Sequence, residues 1–257
     1  MTTLAVIPAR MGSSRFPGKP IAPLLGRPMI EHIYRRTALC RRLDGVVIAT
    51  CDEEIRRAAQ AFGAPVVMTS SAHERASDRV AEVAKARPDV DIVVLVQGDE
   101  PMLVPEMIDL ALGPLLEDSR VVCSNLGAPI RSREEFDDRN TIKVVVGRDG
   151  DALYFSREPI PTDQRLPFER LAALKQVCVI PFRRDFLLTY AALEPTPLEI
   201  AESVDMLRAL EHGYPVRIVP SPYVTQSVDT PEDLRRVEEL MRDDALARDY
   251  LGRPEGR

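Results

Sequence analysis

Leu4-Ala5-Val6-Ile7 runs straight into Pro8-Ala9-Arg10-Met11-Gly12-Ser13-Ser14-Arg15-Phe16-Pro17-Gly18-Lys19-Pro20. Consecutive apolar residues of strand length predict a strand covered on both faces, the situation of a parallel sheet between helices. The loop that follows it suits a polyphosphate. Gly12, Ser13, Ser14 and Gly18 let backbone N–H groups come close to an anion, and Arg10, Arg15 and Lys19 supply three cations to neutralise it. The spacing is that of neither a P-loop nor Gly-x-Gly-x-x-Gly. An ordinary Gly/Pro-rich surface turn with solvated cations is the competing reading of the loop alone.

Working outward, apolar runs of strand length recur at 46–49, 65–68, 92–96, 121–124, 142–146, 177–181 and 216–219. Helical patterns lie between the early ones, at Met29 to Leu39, Glu53 to Phe62, Ser77 to Ala86 and Pro105 to Leu116, the last with proline in its first turn. Strand and helix in alternation predict parallel pairing by right-handed crossovers. The expected fold class is α/β, Rossmann-like: a three-layer, mostly parallel sheet, with ligands beyond the carboxyl ends of the strands. Further on, Gly147-Arg148-Asp149-Gly150 predicts a hairpin between 142–146 and 152–155, and Leu198 to His212 predicts one helix ending near Gly213.

The chain has 257 residues, 45% of them hydrophobic, enough for one large core. A single domain is expected over 1–245, with a polar tail at 246–257 and fraying beyond Arg242. The polar stretch from Pro159 to Pro167 is too short to divide it. A net charge of −6, with arginines interspersed among acids, argues against a nucleic-acid partner. Cys40, Cys51, Cys123 and Cys178 form no Cys-x-x-Cys pair, which excludes a zinc-site or disulfide pattern and suits a reducing, cytoplasmic setting. No apolar stretch reaches the ~18 residues of a membrane span, and no signal-peptide core opens the chain, so no membrane partner is expected.

Two further motifs carry chemistry. Val96-Gln97-Gly98-Asp99-Glu100-Pro101 puts a carboxylate at the end of the most apolar strand, where hard oxygen ligands could hold Mg²⁺ against phosphate. Equally, an acid there could simply favour a helix N-terminus. Val228-Asp229-Thr230-Pro231-Glu232-Asp233-Leu234 reads first as a helix cap. One metal site results only if the fold brings the two acids together.

Pro8–Lys19, Gln97–Pro101, the Ala-Leu-Tyr-Phe-Ser-Arg stretch at 152–157 and Ser227–Leu234 together resemble, in order and over nearly the whole chain, the CMP-Kdo synthetases (3-deoxy-manno-octulosonate cytidylyltransferases). The resemblance implies a nucleotide-diphospho-sugar transferase-like fold and a homodimer that uses CTP, a sugar acid and Mg²⁺. It places CTP on Pro8, Ala9, Arg10, Gly12, Ser13, Arg15, Lys19, Arg75, Ala76, Ser77, Arg79, Gln97 and Asp99. Asp99 and Asp229 match the metal ligands, Arg10 and Lys19 join them as catalytic residues, and Arg157, Gln176 and Asp205 fall on the acceptor side. Leu174 to Phe186 would contribute to the acceptor pocket and to the dimer contact.

Departures from the family pattern fall both where the resemblance places base and ribose contacts, at 73–79, and on the sugar side, at 176–182 and 205–208. His73-Glu74-Arg75-Ala76-Ser77-Asp78-Arg79 replaces a flexible glycine and adds an arginine, Gln176 to Phe182 lacks the usual imidazole and phenols, Asp205-Met206 stands for Glu-Gln, and Cys51 stands for an acid. A buried hydroxyl left without a partner costs about 1–3 kcal/mol, so such changes bear on which sugar is read. The expected reaction is CTP-dependent activation of Kdo or a related ulosonic acid. The same fold with another nucleotide or a sugar phosphate, and a non-catalytic nucleotide-binding regulator, are the alternatives. His32 is expected on or near a helix surface, His212 at a helix C-terminus, and His73 either near the nucleotide or as a loop anchor. The Arg-Arg pairs read as solvated charges, apart from Arg183, which falls in the acceptor region, and the cysteines as small buried hydrophobes.

Overall fold

The computed structural model describes residues 1–13 and 15–251; Ser14 of the loop and residues 252–257 of the expected tail lie outside the described residues. In chain order the elements are β1 (Thr3–Ala9), β2 (Pro23–Leu24), β3 (Arg27–Pro28), α1 (Met29–Ala38), β4 (Gly45–Thr50), α2 (Glu53–Ala61), β5 (Val66–Met68), α3 (Ala76–Lys85), β6 (Ile92–Val96), α4 (Pro105–Glu117) and β7 (Ser124–Pro129). There follow α5 (Arg133–Asp137), β8 (Lys143–Val146), β9 (Ala152–Ser156), β10 (Leu174–Val177), β11 (Val179–Arg183), α6 (Arg184–Ala191), α7 (Pro197–Glu202), α8 (Met206–Glu211), β12 (Arg217–Pro220), α9 (Pro231–Arg242) and α10 (Ala245–Leu251).

The first sheet runs β11-β6-β1-β4-β5, parallel except for β11. Its central strands carry unbroken apolar runs between their ends because alternate side chains enter two separate cores. Ala5, Ile7, Ile48, Val94 and Val96 pack with Ile33 of α1, Ile55 of α2 and Ile108 of α4, while Leu4, Val6, Val47, Val93 and Leu95 pack with Val80 of α3 and Leu187 of α6. Three layers follow from this period of two. A second sheet, β12-β7-β10-β8-β9, is antiparallel except for β12 against β7, and it meets the first where Cys123 bridges to Phe182.

Three sequence expectations change here. The run 177–181 is two strands in different sheets: β10 pairs with β7 and β8, β11 pairs with β6, and Cys178 between them accepts the Gln97 N–H at 3.0 Å. Apolarity continues through the switch because both halves are buried, so no pattern break marks it. Leu198 to His212 is likewise two short helices, α7 and α8, parted at Ser203, whose backbone is left-handed (φ 53°, ψ 50°). No Gly or Asn announces that break. The run at 121–124 is also displaced, the strand proper starting at Ser124 and continuing to Pro129.

The C-terminal end is ordered rather than frayed through Leu251. Ala247 of α10 is buried, Asp244 pairs with the fully buried Arg36 at 2.8 Å, and the Tyr250 hydroxyl meets His32 Nδ1 at 2.8 Å and accepts from Arg36 Nε at 3.2 Å. His32 and Arg36 are therefore core residues, not surface ones. The His32 Nε2–H donates to the Leu24 carbonyl at 2.7 Å, which leaves Nδ1 as acceptor for Tyr250 and fixes the neutral tautomer. Burial pushes the His32 pKa down. Because the unfolded chain binds this proton more readily, stability present above pH 6.5 is lost as the pH falls below it. His32→Gln, which keeps a donor and an acceptor but does not titrate, is expected to flatten the decline in Tm between pH 7 and 5; an unchanged slope would refute this assignment.

Arg183, expected near the acceptor, instead donates to the carbonyls of Leu115, Asp118 and Val121 and so closes the C-terminal end of α4. Among the described residues no helix is long and apolar enough to cross a membrane.

Candidate active site

β1, β4 and β6 end side by side, and their exits form one cleft. At its floor Gly98 follows β6 so closely that a Cβ there would stand 2.7 Å from the Pro8 carbonyl oxygen, an approach only glycine permits. The loop after β1 is held open by hydrogen bonds at its base: Met11 N–H donates to Asp52 at 2.7 Å, Gly18 N–H donates to the Met11 carbonyl at 3.1 Å, and Gly18 turns with φ 75°. A cavity of about 500 Å³ results, lined by Pro8, Ala9, Arg10, Gly12, Ser13, Arg15 and Lys19 of the loop and by Arg75, Ala76, Arg79, Gln97, Asp99, Arg157, Gln176, Asp205 and Asp229. A second, of about 690 Å³, opens beside it under the other sheet and shares Arg15, Gln97, Asp99, Arg157, Gln176 and Asp229 with it.

The two acidic motifs meet. Val228 N–H donates to the Asp99 carbonyl at 2.9 Å, which ties the loop before α9 to the loop after β6. Lys19 Nζ lies 3.2 Å from Asp99, 3.5 Å from Asp229 and 2.7 Å from the Val228 carbonyl, so one ammonium serves both carboxylates. Arg15 pairs with Asp229 at 3.0 Å. Asp229 itself sits just outside the capping box of Thr230 and Asp233 that starts α9, so the cap is real and still leaves the Asp229 side chain facing the cleft. Burial raises the Asp99 pKa, with Lys19 opposing and Asp229 reinforcing the shift. Such a pair calls for positive charge.

The nucleotide-side residues of the 73–79 segment divide into two groups. Arg75 and Ala76 line the first cavity, and Arg75 also donates to Ser203 Oγ at 2.8 Å. Arg79 lines it too, although its guanidinium is nearly all buried on Thr69, the Ser70 carbonyl and Cys51. Ser77, expected to contact nucleotide, is fully buried behind the wall and donates to Asp205 at 2.7 Å. That bond orients Asp205 and raises a direct link between the 73–79 segment and the acceptor side. His73 lines the cavity and pairs with Glu82, an anchor of the loop.

On the acceptor side the helix break at Ser203 explains itself. Arg157 donates to the Glu202 carbonyl at 2.6 Å and the Ser203 carbonyl at 3.2 Å, both of which an unbroken helix would bond internally, and to the Arg139 carbonyl at 3.0 Å. Three of its five N–H groups are thus taken and two remain. Gln176 Nε2 donates to Asn125 Oδ1 at 2.6 Å, and Asn125 in turn donates to the Leu126 and Val177 carbonyls, which fixes both amides and leaves the Gln176 carbonyl oxygen toward the cavities.

Glu100 was hidden in the Gln97–Pro101 motif. It lines the second cavity, one carboxyl oxygen is buried with no partner among the described residues, and burial, helped by the Asp99 charge, pushes its pKa up to about 7. Asn140, which accepts from Arg15, and the buried Lys143 were also missed. A lysine or asparagine beside a strand reads as solvated, so sequence gave no signal for either.

The cytidylyltransferase family model matches residues 4–218. A 3-deoxy-manno-octulosonate cytidylyltransferase of Geobacter metallireducens is 46% identical over 250 residues, covering 94% of this chain and 98% of that protein. Another, of Geotalea uraniireducens, is 45% identical over 251 residues, covering 94% and 100%. Among solved structures, a CMP:2-keto-3-deoxy-manno-octonic acid synthetase complexed with CTP is similar with a TM-score of 0.88 at 38% identity, covering 95% of this chain and 100% of that one. With its parallel-rich α/β fold and two acids paired between the end of β6 and the start of α9, the chain belongs to the cytidylyltransferase family, as a member of the 3-deoxy-manno-octulosonate cytidylyltransferases.

Proposed function

We propose that the chain transfers the cytidylyl group of CTP to the anomeric hydroxyl of Kdo or a related ulosonic acid. The hydroxyl oxygen gives up its proton to solvent and bonds to the α-phosphorus, the bond from that phosphorus to the bridging oxygen of the β-phosphate breaks, and pyrophosphate leaves with the CMP-sugar remaining. The observation that carries this reading is the convergence of Asp99 and Asp229 on Lys19 beside a cation-lined loop. Two partly buried acids held together count against a regulator that only binds nucleotide.

The donor set fits magnesium: two carboxylates from different loops, facing one cavity, whose mutual repulsion is relieved, among the described residues, by an ammonium and a guanidinium. Asp99 and Asp229 would hold the ion, and when bound it supplies Lewis-acid stabilisation and lowers the pKa of the attacking hydroxyl. The protein's own groups do the rest. Arg10, Gly12, Ser13 and Arg15 receive the triphosphate on the Gly12 N–H, the Ser13 hydroxyl and the arginine cations, the Ser13 N–H being held by the Met11 carbonyl at 2.9 Å, and Lys19 and Arg15 offset the charge that builds on departing pyrophosphate. Gln97, Ala76, Arg75 and Arg79 bound the space for the nucleoside. Arg157 offers its two remaining N–H groups to the acceptor carboxylate, with Gln176 and Asp205 as acceptors for hydroxyls.

The same proposal includes a cytoplasmic homodimer, whose oligomeric state sedimentation of the purified chain reads directly. Supplying CTP and Mg²⁺ with a mixture of 3-deoxy-ulosonic and nonulosonic acids, and weighing the products by mass spectrometry, tests both halves of the reaction. A CMP-ulosonate with stoichiometric pyrophosphate is expected. Turnover only with another nucleotide, or only with a sugar phosphate, would overturn the reading.

A further inference from the structure

Lys143 heads β8 and its side chain is fully buried, yet no acid pairs with its ammonium among the described residues. Its three N–H groups donate to three carbonyls instead: Asp138 at 2.8 Å, Thr141 at 2.7 Å and Arg157 at 2.6 Å. That saturates the ammonium, the condition under which a buried cation is tolerated. Core packing alone would be served better by an apolar residue, as at Val144 beside it. The charge is there to hold those carbonyls.

Two of them belong to the turn 138–141, and the third fixes the backbone of Arg157, whose guanidinium returns to the Arg139 carbonyl of the same turn at 3.0 Å. The turn is therefore gripped from below by Lys143 and from the side by Arg157. On its far side stands Asn140. Its backbone N–H and its Nδ2 both donate to the Asp138 carboxylate, at 2.9 and 3.0 Å, which orients the amide so that Oδ1 faces outward and accepts from Arg15 NH1. Arg15 reaches Asp229 with its other nitrogen at 3.0 Å. A continuous run of contacts thus leads from the acceptor-side Arg157, through one turn, to a triphosphate cation and one of the paired acids.

We propose that Lys143 and Asn140 are positioning residues for the cytidylyl transfer: Lys143 acts through the turn 138–141 on Arg157 and Asn140, and Asn140 acts through Arg15. The inference rests on the proposed reaction for its kinetic readout, and the affinity of CTP with Mg²⁺ provides a second one independent of turnover.

The test is a double-mutant cycle of Asn140→Ala and Arg15→Ala, read as kcat/KM for CTP and as CTP affinity by calorimetry. Asn140→Ala is expected to lower both about 5- to 20-fold in the native background and by less than about 2-fold when Arg15 is already alanine, within the range of coupling seen for contacting residues. Tm should be unchanged, because Asn140 is exposed. Lys143→Met is expected to raise KM for both CTP and the acid, without rescue by Lys143→Arg, whose planar fork cannot serve three carbonyls arranged around one ammonium. Equal effects of Asn140→Ala in both backgrounds, or none in the native one, would overturn the role of Asn140; unchanged KM values in Lys143→Met would overturn that of Lys143, and should that variant fail to fold, Lys143→Gln, which keeps two N–H donors for the same carbonyls, is read in its place by the same two KM values. Should the native chain release no pyrophosphate with any acid, the proposed reaction falls, while the cycle in CTP affinity still judges the coupling.

Discussion

Asp99→Asn is expected to lower kcat by about 10³-fold or more while CTP still binds within a few-fold of the native affinity. Asparagine keeps the shape of the side chain and leaves untouched the backbone carbonyl that accepts from Val228, so the junction between the two loops survives. What disappears is one of the two negative charges that meet at Lys19. Stabilisation by a bound cation at a reacting phosphate is worth several kcal/mol, and about 4 kcal/mol corresponds to 10³ in rate. The fold should not suffer. Burial already disfavours the ionised carboxylate, so a neutral amide is tolerated at least as well in the ligand-free protein. Pyrophosphate release and calorimetric titration with CTP check the two halves separately. Activity within tenfold of native would exclude the paired acids as the catalytic centre.

Lys19→Met is expected to lower kcat by about 10²- to 10³-fold, the loss that follows removal of one preorganised donor at a developing negative charge. Here the ammonium also has a resting duty, since it holds the Val228 carbonyl and faces both acids from a position only 12% exposed. Its loss leaves two carboxylates against each other with, among the described residues, Arg15 paired to one of them, and some stability should go with it. Lys19→Arg is expected to restore stability more than rate. A guanidinium can pair with a carboxylate, but its rigid plane does not reproduce a compact charge bonded to one carbonyl and shared between two acids. Comparison of Tm and kcat across the two variants separates the duties; parallel recovery of both would show that charge alone suffices.

The fold was legible wherever one local rule acted without competition. Val6 and Ile7 look to opposite cores, and that burial is why their strand reads as an unbroken apolar run and why its neighbours had to be parallel and helix-covered. The errors came where distant residues decided local structure. Ser203 adopts a left-handed backbone because Arg157 and Arg75 bond to the carbonyls and hydroxyl exposed by the break, contacts that no window around residue 203 contains. His32 and Arg36 looked solvated because the residues that bury them, Asp244 and Tyr250, lie more than two hundred positions away. The site divides in the same manner. Arg10, Arg15, Lys19, Asp99 and Asp229 could be named as chemistry-bearing residues from their motifs, yet each acid alone read equally well as a helix-start residue. Only their meeting through Val228 and Lys19 turns them into a site, and Ser77 shows the converse, a motif residue whose hydroxyl serves Asp205 from behind the wall.

The change of sheet at Cys178 divides the labour of recognition. The loop after β1 and the exit of β6, which face the phosphates in the proposed reaction, belong to the first sheet, whereas Gln176 hangs from the second and Arg157 follows directly from it. The hinge between them is pinned by a backbone bond from Gln97 that is indifferent to side-chain identity. Substitutions that retune the choice of sugar can therefore gather on one slab of the molecule, and those that spare Arg157 and the turn 138–141, through which that slab reaches Arg15, leave the half that handles the energy-rich donor undisturbed.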